Sequence, residues 1–186
     1  SSPMWWQRSL THPIPTTHAR MGRFGSPFAV LDFKDVDPAL SEFDRHTTPM
    51  QQFIESCLVD AAALIDSTRA KGLKITAKER NNMATSADFA SESLIVGRIQ
   101  KSYPDSLVLS EESYLDSDQM AESLFVIDPI DGTHNFIQGI PLYGVSIAHF
   151  SCGKPTAGGI YLSNQKMLYY AEKGKPATLN GRKISA

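Results

Sequence analysis

Two aspartates follow a short apolar run, and their types and spacing suit a cation site. Residues 125–127 (Phe-Val-Ile) precede Asp128, Pro129 and Asp131. We expect a strand that delivers Asp128 to its C-terminal end, followed by a sharp turn after Pro129 that brings the Asp131 carboxylate close to that of Asp128. Paired carboxylates favour a hard divalent cation, and Mg²⁺ is the ion that commonly bridges carboxylate to phosphate.

The residues after Asp131 suit an anion. Gly132 permits close backbone approach, Thr133 is expected to cap a short helix, and exposed N–H groups at a helix start can bind phosphate. A second acidic pair, Glu111 and Glu112, follows another apolar run, and Asp88 lies upstream. Taken alone, the segment from Asp128 could be a tight turn with a capping aspartate and the acidic pair a solvated loop. Their combination favours a metal-assisted phosphate site.

These segments resemble the signature of the inositol monophosphatase family, a group of Mg²⁺-dependent phosphatases. Residues 128–136 (Asp-Pro-Ile-Asp-Gly-Thr-His-Asn-Phe) carry the likeness. Supporting matches occur, in the family's order, over about residues 50–186, at 85–88, 110–113, 144–147, 171–174 and 179–181. The resemblance implies a Mg²⁺-dependent phosphomonoesterase that hydrolyses a small phosphate monoester with metal-activated water.

The resemblance also implies a role for particular residues. Glu111, Asp128 and the backbone carbonyl of Ile130 would hold one Mg²⁺, and Asp128 and Asp131 would share a second. Asp88 would lie near a further, weaker metal position. The backbone amides of Gly132 and Thr133 would receive the substrate phosphate, and Glu111 and Thr133 would orient the attacking water.

A haloacid-dehalogenase-type site does not fit, because its aspartates are two residues apart and those here are three apart.

The elements that must position these residues are helices followed by strands. Apolar residues recur at helical spacing from residue 51 until Gly72, and Thr85 begins a second helix that stops before Pro104. Short strands are expected at 107–109 and 124–127, then a three-stranded meander at 144–150, 156–161 and 167–171. This order predicts an α+β fold, with layered helices packed on a largely antiparallel sheet.

Residues 1–50 are expected to form an extended arm that can wrap a partner, ahead of a domain spanning 51–186. The arm has prolines, scattered aromatic residues and no sustained periodicity. Residues 1–31 contain three arginines and no acidic residue, a bias found in organelle transit segments, although four prolines oppose an amphipathic helix. A mitochondrial or other organellar address and a cytoplasmic location both stay open.

The composition is that of an ordinary globular domain. The chain has 186 residues, 41% hydrophobic and 20% charged, with a formal net charge of -2, so nothing indicates nucleic acid as a partner. No stretch has the roughly 18 to 20 apolar residues of a membrane-spanning helix.

The resemblance ends near residues 180–184, little more than halfway through the family's fold. It therefore implies a further half with another α/β layer, a Trp-Asp-x-Ala-Ala-Gly-like motif with another metal-binding aspartate, and most residues that select the alcohol. An uncovered sheet face would need a protein partner or second chain. We consider two functions: the phosphomonoesterase, incomplete in this chain, and a non-catalytic structural subunit docked in a larger assembly, with an organellar assembly among the options. Inositol phosphate, histidinol phosphate and a nucleotide 3′-phosphate are all candidate substrates.

Overall fold

The computed structural model describes residues 47–77, 83–111 and 121–185. The expectations for the arm up to residue 46, for the organellar address and for Glu112 lie outside the described residues. None of the helices in the described ranges is long and apolar enough to cross a membrane.

Two helices form one layer of the domain. Helix α1 spans Pro49–Ala70 and begins two residues before the expected start, because the Thr48 side chain accepts from the backbone N–H of Gln51 and caps it. Helix α2 spans Ser86–Ser102 and starts with a capping box in which Thr85 and Asp88 satisfy each other's backbone N–H groups. Both helices therefore occur where the sequence pattern predicts them.

In the residues that the structure describes, a seven-stranded sheet forms the second layer and confirms the α+β prediction. Its strands, in spatial and chain order, are β3 (Leu107–Ser110), β4 (Ser123–Asp131), β5 (Gly144–Ser151), β6 (Lys154–Leu162), β7 (Met167–Glu172), β8 (Thr178–Leu179) and β9 (Arg182–Lys183). Strands β3 and β4 run parallel, and every other neighbouring pair is antiparallel. A separate antiparallel pair, β1 (Ile75–Ala77) and β2 (Met83–Thr85), precedes α2.

The core lies between the helices and one face of the sheet. Helix α1 packs on β5, β6 and β7, whereas α2 packs on β4. Large side chains that are fully buried there come from both layers: Ile54, Leu58, Ile65, Ile95, Ile99, Phe125, Val145 and Ile147. Burial of these apolar surfaces holds the strand ends that carry the acidic residues against the helices.

The strand that carries the aspartates is longer than expected. The prediction that the chain turns sharply after Pro129 is wrong, because β4 continues to Asp131 with a β-bulge. Asp128 pairs with Ser146 and Asp131 with Gly144, so two residues of β4 oppose one of β5. Pro129 has no N–H to give to a regular ladder, which explains why the irregularity occurs there.

Candidate active site

The parallel pairing of β3 with β4 brings the two acidic segments together. Ser110 lies opposite Ile127, so Glu111, the first residue after β3, lies beside Asp128 of β4 at the same end of the sheet. The bulge adds one residue between Asp128 and Asp131, and this brings both aspartates to the same side of the strand. The topology therefore gathers the three carboxylates that the sequence singled out.

Asp128 is the electrostatic centre of this group. Burial, followed by the negative charges of Glu111 and Asp131, raises the pKa of Asp128 from 3.8 to about 7. The backbone N–H of Ile130 donates to Asp128 Oδ1 at 3.1 Å and partly opposes that rise. The Glu111 carboxyl also lies within hydrogen-bonding reach of Asp128. Two carboxyl groups in such contact need either a shared proton or a cation between them.

In the described residues, the carboxylates of Glu111, Asp128 and Asp131 do not form a single set of metal ligands. Within the ranges 47–77, 83–111 and 121–185, no three His, Cys, Asp or Glu side chains converge closely enough to hold a metal ion as they stand. This is compatible with the electrostatics of Asp128, which lies near Glu111 and near Asp131 separately. The donors fit a hard divalent cation, because all are oxygens and a cation would relieve the repulsion between the carboxylates.

Thr133 joins the aspartate strand to α2. Its Oγ1 contacts the Ile130 carbonyl oxygen at 2.9 Å and Asp88 Oδ1 at 3.2 Å, and its hydroxyl can donate to either. The expectation that Thr133 caps the following helix is wrong: helix α3 (Thr133–Gln138) begins at Thr133, and Gly132 occupies the cap position without a side-chain hydrogen bond. The hydroxyl instead holds the turn after β4 against Asp88 of α2 and against the Ile130 carbonyl oxygen of β4.

Asp88 is 1% exposed and carries the capping box. Its Oδ2 accepts from the backbone N–H of Thr85 at 2.7 Å and from the Thr85 hydroxyl at 2.6 Å, while Oδ1 faces Thr133. Asp88 thus lies next to the candidate site but serves mainly as a helix cap. Its place at a weaker metal position stays a prediction.

Gly132 is required by its conformation and by its packing. Its φ of +87° lies in the left-handed region, and a Cβ there would lie 2.9 Å from the Leu142 carbonyl oxygen. Any side chain would push the turn away from residues 142–143. The sequence pattern correctly singled out Gly132 for close backbone approach.

Several supporting residues were missed by sequence reasoning. The Ser91 hydroxyl, fully buried on α2, donates to the Pro129 carbonyl oxygen at 3.1 Å and holds the bulge. Its position three residues after Asp88, on the same helix face, was an available signal. Tyr143 and Asp66 form a hydrogen bond across 77 residues of sequence, which no local pattern could have indicated.

Comparison with known proteins gives one family and a set of partial relatives. The family described as "Inositol monophosphatase family" matches residues 46–186. The "Nus factor SuhB" of Pasteurella multocida is 37% identical over 116 residues, which are 62% of this chain and 43% of that protein. The chain therefore spans less than half the length of this curated relative.

Solved structures give the same pattern of likeness. The extragenic suppressor protein suhB of Bartonella henselae is 30% identical with a TM-score of 0.68, over 75% of this chain and 55% of that one. SaIMPase-II of Staphylococcus aureus, solved with inositol monophosphate bound, is 29% identical with a TM-score of 0.62, over 74% of this chain and 49% of that one. The described fold is thus shared with these proteins over roughly half their length.

Proposed function

The chain belongs to the inositol monophosphatase family, and from that premise we propose that it contributes the metal- and phosphate-binding half of a Mg²⁺-dependent phosphomonoesterase. The observation that carries the proposal is the position of Asp128, which lies close to Glu111 and to Asp131, the residue directly before the turn at Gly132. Acidic groups whose pKa is shifted by one another are concentrated at functional sites.

The metal ligands of the proposal are oxygen atoms at one edge of the sheet. Glu111, Asp128 and the Ile130 carbonyl oxygen would hold one Mg²⁺, and Asp128 and Asp131 would contribute to a second. The Ile130 oxygen lies near the Thr133 hydroxyl, and a carbonyl oxygen has a second lone pair for a ligand. When bound, Mg²⁺ neutralises phosphate charge and lowers the pKa of coordinated water.

The protein groups proposed to act on the substrate lie in the next two residues. Gly132 is the cap residue of α3 and Thr133 is its first residue, so their amides have no intrahelical acceptor and would bind the phosphate oxygens. Glu111 and Thr133 would orient the attacking water. When the Thr133 hydroxyl donates to the Ile130 oxygen or to Asp88, its own oxygen can accept a hydrogen bond from that water and so orient it.

The proposed substrate is a small phosphate monoester. Inositol 1-phosphate is the first one to test, because SaIMPase-II was solved with inositol monophosphate bound. Histidinol phosphate and a nucleotide 3′-phosphate belong in the same assay, since the residues that would choose among the alcohols are not among the groups described above.

The phosphatase proposal is tested by phosphate release and by Mg²⁺ binding. We expect the natural assembly that contains this chain to release phosphate from inositol 1-phosphate only with Mg²⁺, and Asp131→Asn to weaken Mg²⁺ binding by at least about tenfold. Asp105→Asn is the matched control, because Asp105 is an exposed acid just before β3, at the end of that strand opposite Glu111. Absence of both turnover and Mg²⁺ binding in the natural assembly would reject the proposal.

The alternative is a non-catalytic subunit of a larger assembly, in which a partner would cover the apolar face of the sheet. Ile160 is 45% exposed and Ile184 is 40% exposed, beside a groove of about 410 Å³ that is also lined by Tyr169 and Ala171. We propose that further protein, in the same polypeptide or in a partner, covers this face. Mg²⁺ binding that survives with no turnover on any of the three substrates would favour the alternative.

A further inference from the structure

We infer that Asp66 and Arg69, near the C-terminal end of α1, are positioning residues for the Gly132–Thr133 turn. The inference rests on the proposed function, because it concerns how the proposed phosphate-binding turn is held. Neither residue belongs to the acidic segments, and α1 precedes the turn by more than 60 residues. The connection is made by two aromatic side chains.

Arg69 reaches the first aromatic ring. Its guanidinium carbon lies 5.0 Å from the centroid of the Phe136 ring, a cation–π distance. Phe136 is fully buried in the middle of α3, and its ring meets that of Tyr143 edge-on at 4.9 Å and 73°. Arg69 of α1 therefore contacts α3, the helix that begins at Thr133 of the phosphate-binding turn.

Asp66 holds the second ring. The Tyr143 hydroxyl donates to Asp66 Oδ1 at 3.3 Å, and Tyr143 is only 5% exposed. Gly132 packs against the backbone just there, since a Cβ on Gly132 would lie 2.9 Å from the Leu142 oxygen and 3.4 Å from the Tyr143 Cα. A shift of Tyr143 would therefore shift the surface on which Gly132 rests.

The loop between the two rings is closed by its own hydrogen bonds. Asn135 Nδ2 donates to the Leu142 oxygen at 2.8 Å, and the Ile140 amide donates to the Asn135 oxygen at 2.9 Å. Gly139 ends α3 with φ +77°, and a Cβ on it would lie 3.3 Å from Arg69 Nη2. α1 thus contacts this loop through Arg69 at its start and through Asp66 at its end.

A second arginine provides a matched comparison within the same helix layer. Arg98 of α2 donates to the Ser56 oxygen and hydroxyl and pairs with Asp60, and so ties α2 to α1. Its partners all lie on α1, away from the loop that follows α3. Loss of Arg98 should destabilise the helix layer without moving the phosphate turn, whereas loss of the Asp66 or Arg69 contacts should move it.

The test uses the 186-residue chain and inorganic phosphate with Mg²⁺, followed by the amide NMR shifts of Gly132 and Thr133. Tyr143→Phe changes no charge and removes only the bond to Asp66, and we expect about threefold to tenfold weaker phosphate binding. Arg69→Gln should weaken phosphate binding by a similar factor. Arg69→Lys should recover only part of the wild-type affinity, because lysine keeps the charge but not the planar group. Arg98→Gln should leave phosphate affinity within about twofold.

Hydrogen exchange separates this inference from the proposed function. The amides of Phe136 and Ile140 are hydrogen-bonded within the loop, so their exchange reports its order without any ligand. Faster exchange there in Tyr143→Phe but not in Arg98→Gln supports positioning, even if the wild-type chain binds no phosphate. Equal exchange in both variants, or unchanged phosphate affinity in Tyr143→Phe when wild type binds, overturns the inference.

Discussion

Gly159 allows α1 to lie directly on the sheet, and replacing it tests how closely the two layers are packed. A Cβ at this position would lie 2.8 Å from Leu58 Cδ1, 3.0 Å from Ile54 Cγ2 and 3.2 Å from the Tyr169 carbonyl oxygen. Favourable carbon–carbon contacts occur at about 3.5–4.0 Å. Leu58 and Ile54 are both fully buried, so neither can move into solvent to make room.

The expected cost of Gly159→Ala follows from these contacts. Forcing an extra methyl group into a filled core costs about 1–3 kcal/mol in the free energy of unfolding. Replacing glycine restricts the unfolded chain and returns about 0.4–1 kcal/mol. We therefore expect the variant to be less stable than wild type by between about 0 and 2.6 kcal/mol, with a central value of about 1.3 kcal/mol.

Gly158→Ala is the matched control in the same strand. A Cβ on Gly158 meets Ile147 O at 3.5 Å and Ala148 Cα at 3.8 Å, which are ordinary contacts. This variant should be as stable as wild type or slightly more so, by up to about 1 kcal/mol. Urea unfolding followed by circular dichroism gives both values. An equal loss in the two variants would refute the packing argument, because the Cβ position of Gly158 has no contact close enough to cause such a loss.

Three further predictions concern titration. Burial and the charges of Glu111 and Asp131 raise the metal-free pKa of Asp128 to about 7, so protons should compete with Mg²⁺ for this carboxylate. Calorimetry should show that Mg²⁺ affinity falls as the pH drops below about 7 and changes little above it. Burial lowers the pKa of His149 below 6.5, so its neutral form stabilises the fold above pH 6.5 and this contribution is lost as the pH falls. His149→Gln should therefore flatten the dependence of stability on pH between pH 7.5 and 5. Burial raises the pKa of Glu55, so its contribution to stability is present below about pH 4.5 and is lost as the pH rises. Glu55→Gln should gain stability relative to wild type between pH 4.5 and 8. A stability difference between variant and wild type that stays constant over this range would contradict the prediction.

The sequence predicted the elements that have a clear local pattern. Helix α2 begins at the Thr85 cap and ends just before Pro104 because capping and the missing proline N–H act within a few residues. The meander from β5 to β7 was also predicted, since apolar strands separated by turn residues identify it locally. The grouping of Glu111 with Asp128 followed from the expectation that both end a strand at the same edge.

Other features depend on contacts that local sequence does not encode. The bulge in β4 depends on how residues around Pro129 pair with β5, and the pattern alone suggested a turn instead. The short β8 and β9 pair and the β1–β2 pair have too few residues for a periodic signal, although both occur. The contact between Asp66 and Tyr143 is set by how α1 lies on the sheet, so only the folded chain reveals it.

In the described sheet, which is otherwise antiparallel, the parallel pairing of β3 with β4 explains why Glu111 and Asp128 lie at the same end of the sheet. If β3 ran antiparallel to β4, Glu111 would leave at the opposite end of the sheet from Asp128, about 10–13 Å away for a four-residue strand. Parallel pairing puts both carboxylates at one edge, and the Pro129 bulge then adds Asp131 from the same strand. Restoring a regular ladder by inserting one residue into β5 between Gly144 and Val145 should put Asp131 on the opposite side of β4 from Asp128 and lower the pKa of Asp128. An unchanged Asp128 titration in that variant, measured by carboxyl NMR in a chain that still folds, would show that the bulge does not create the acidic group.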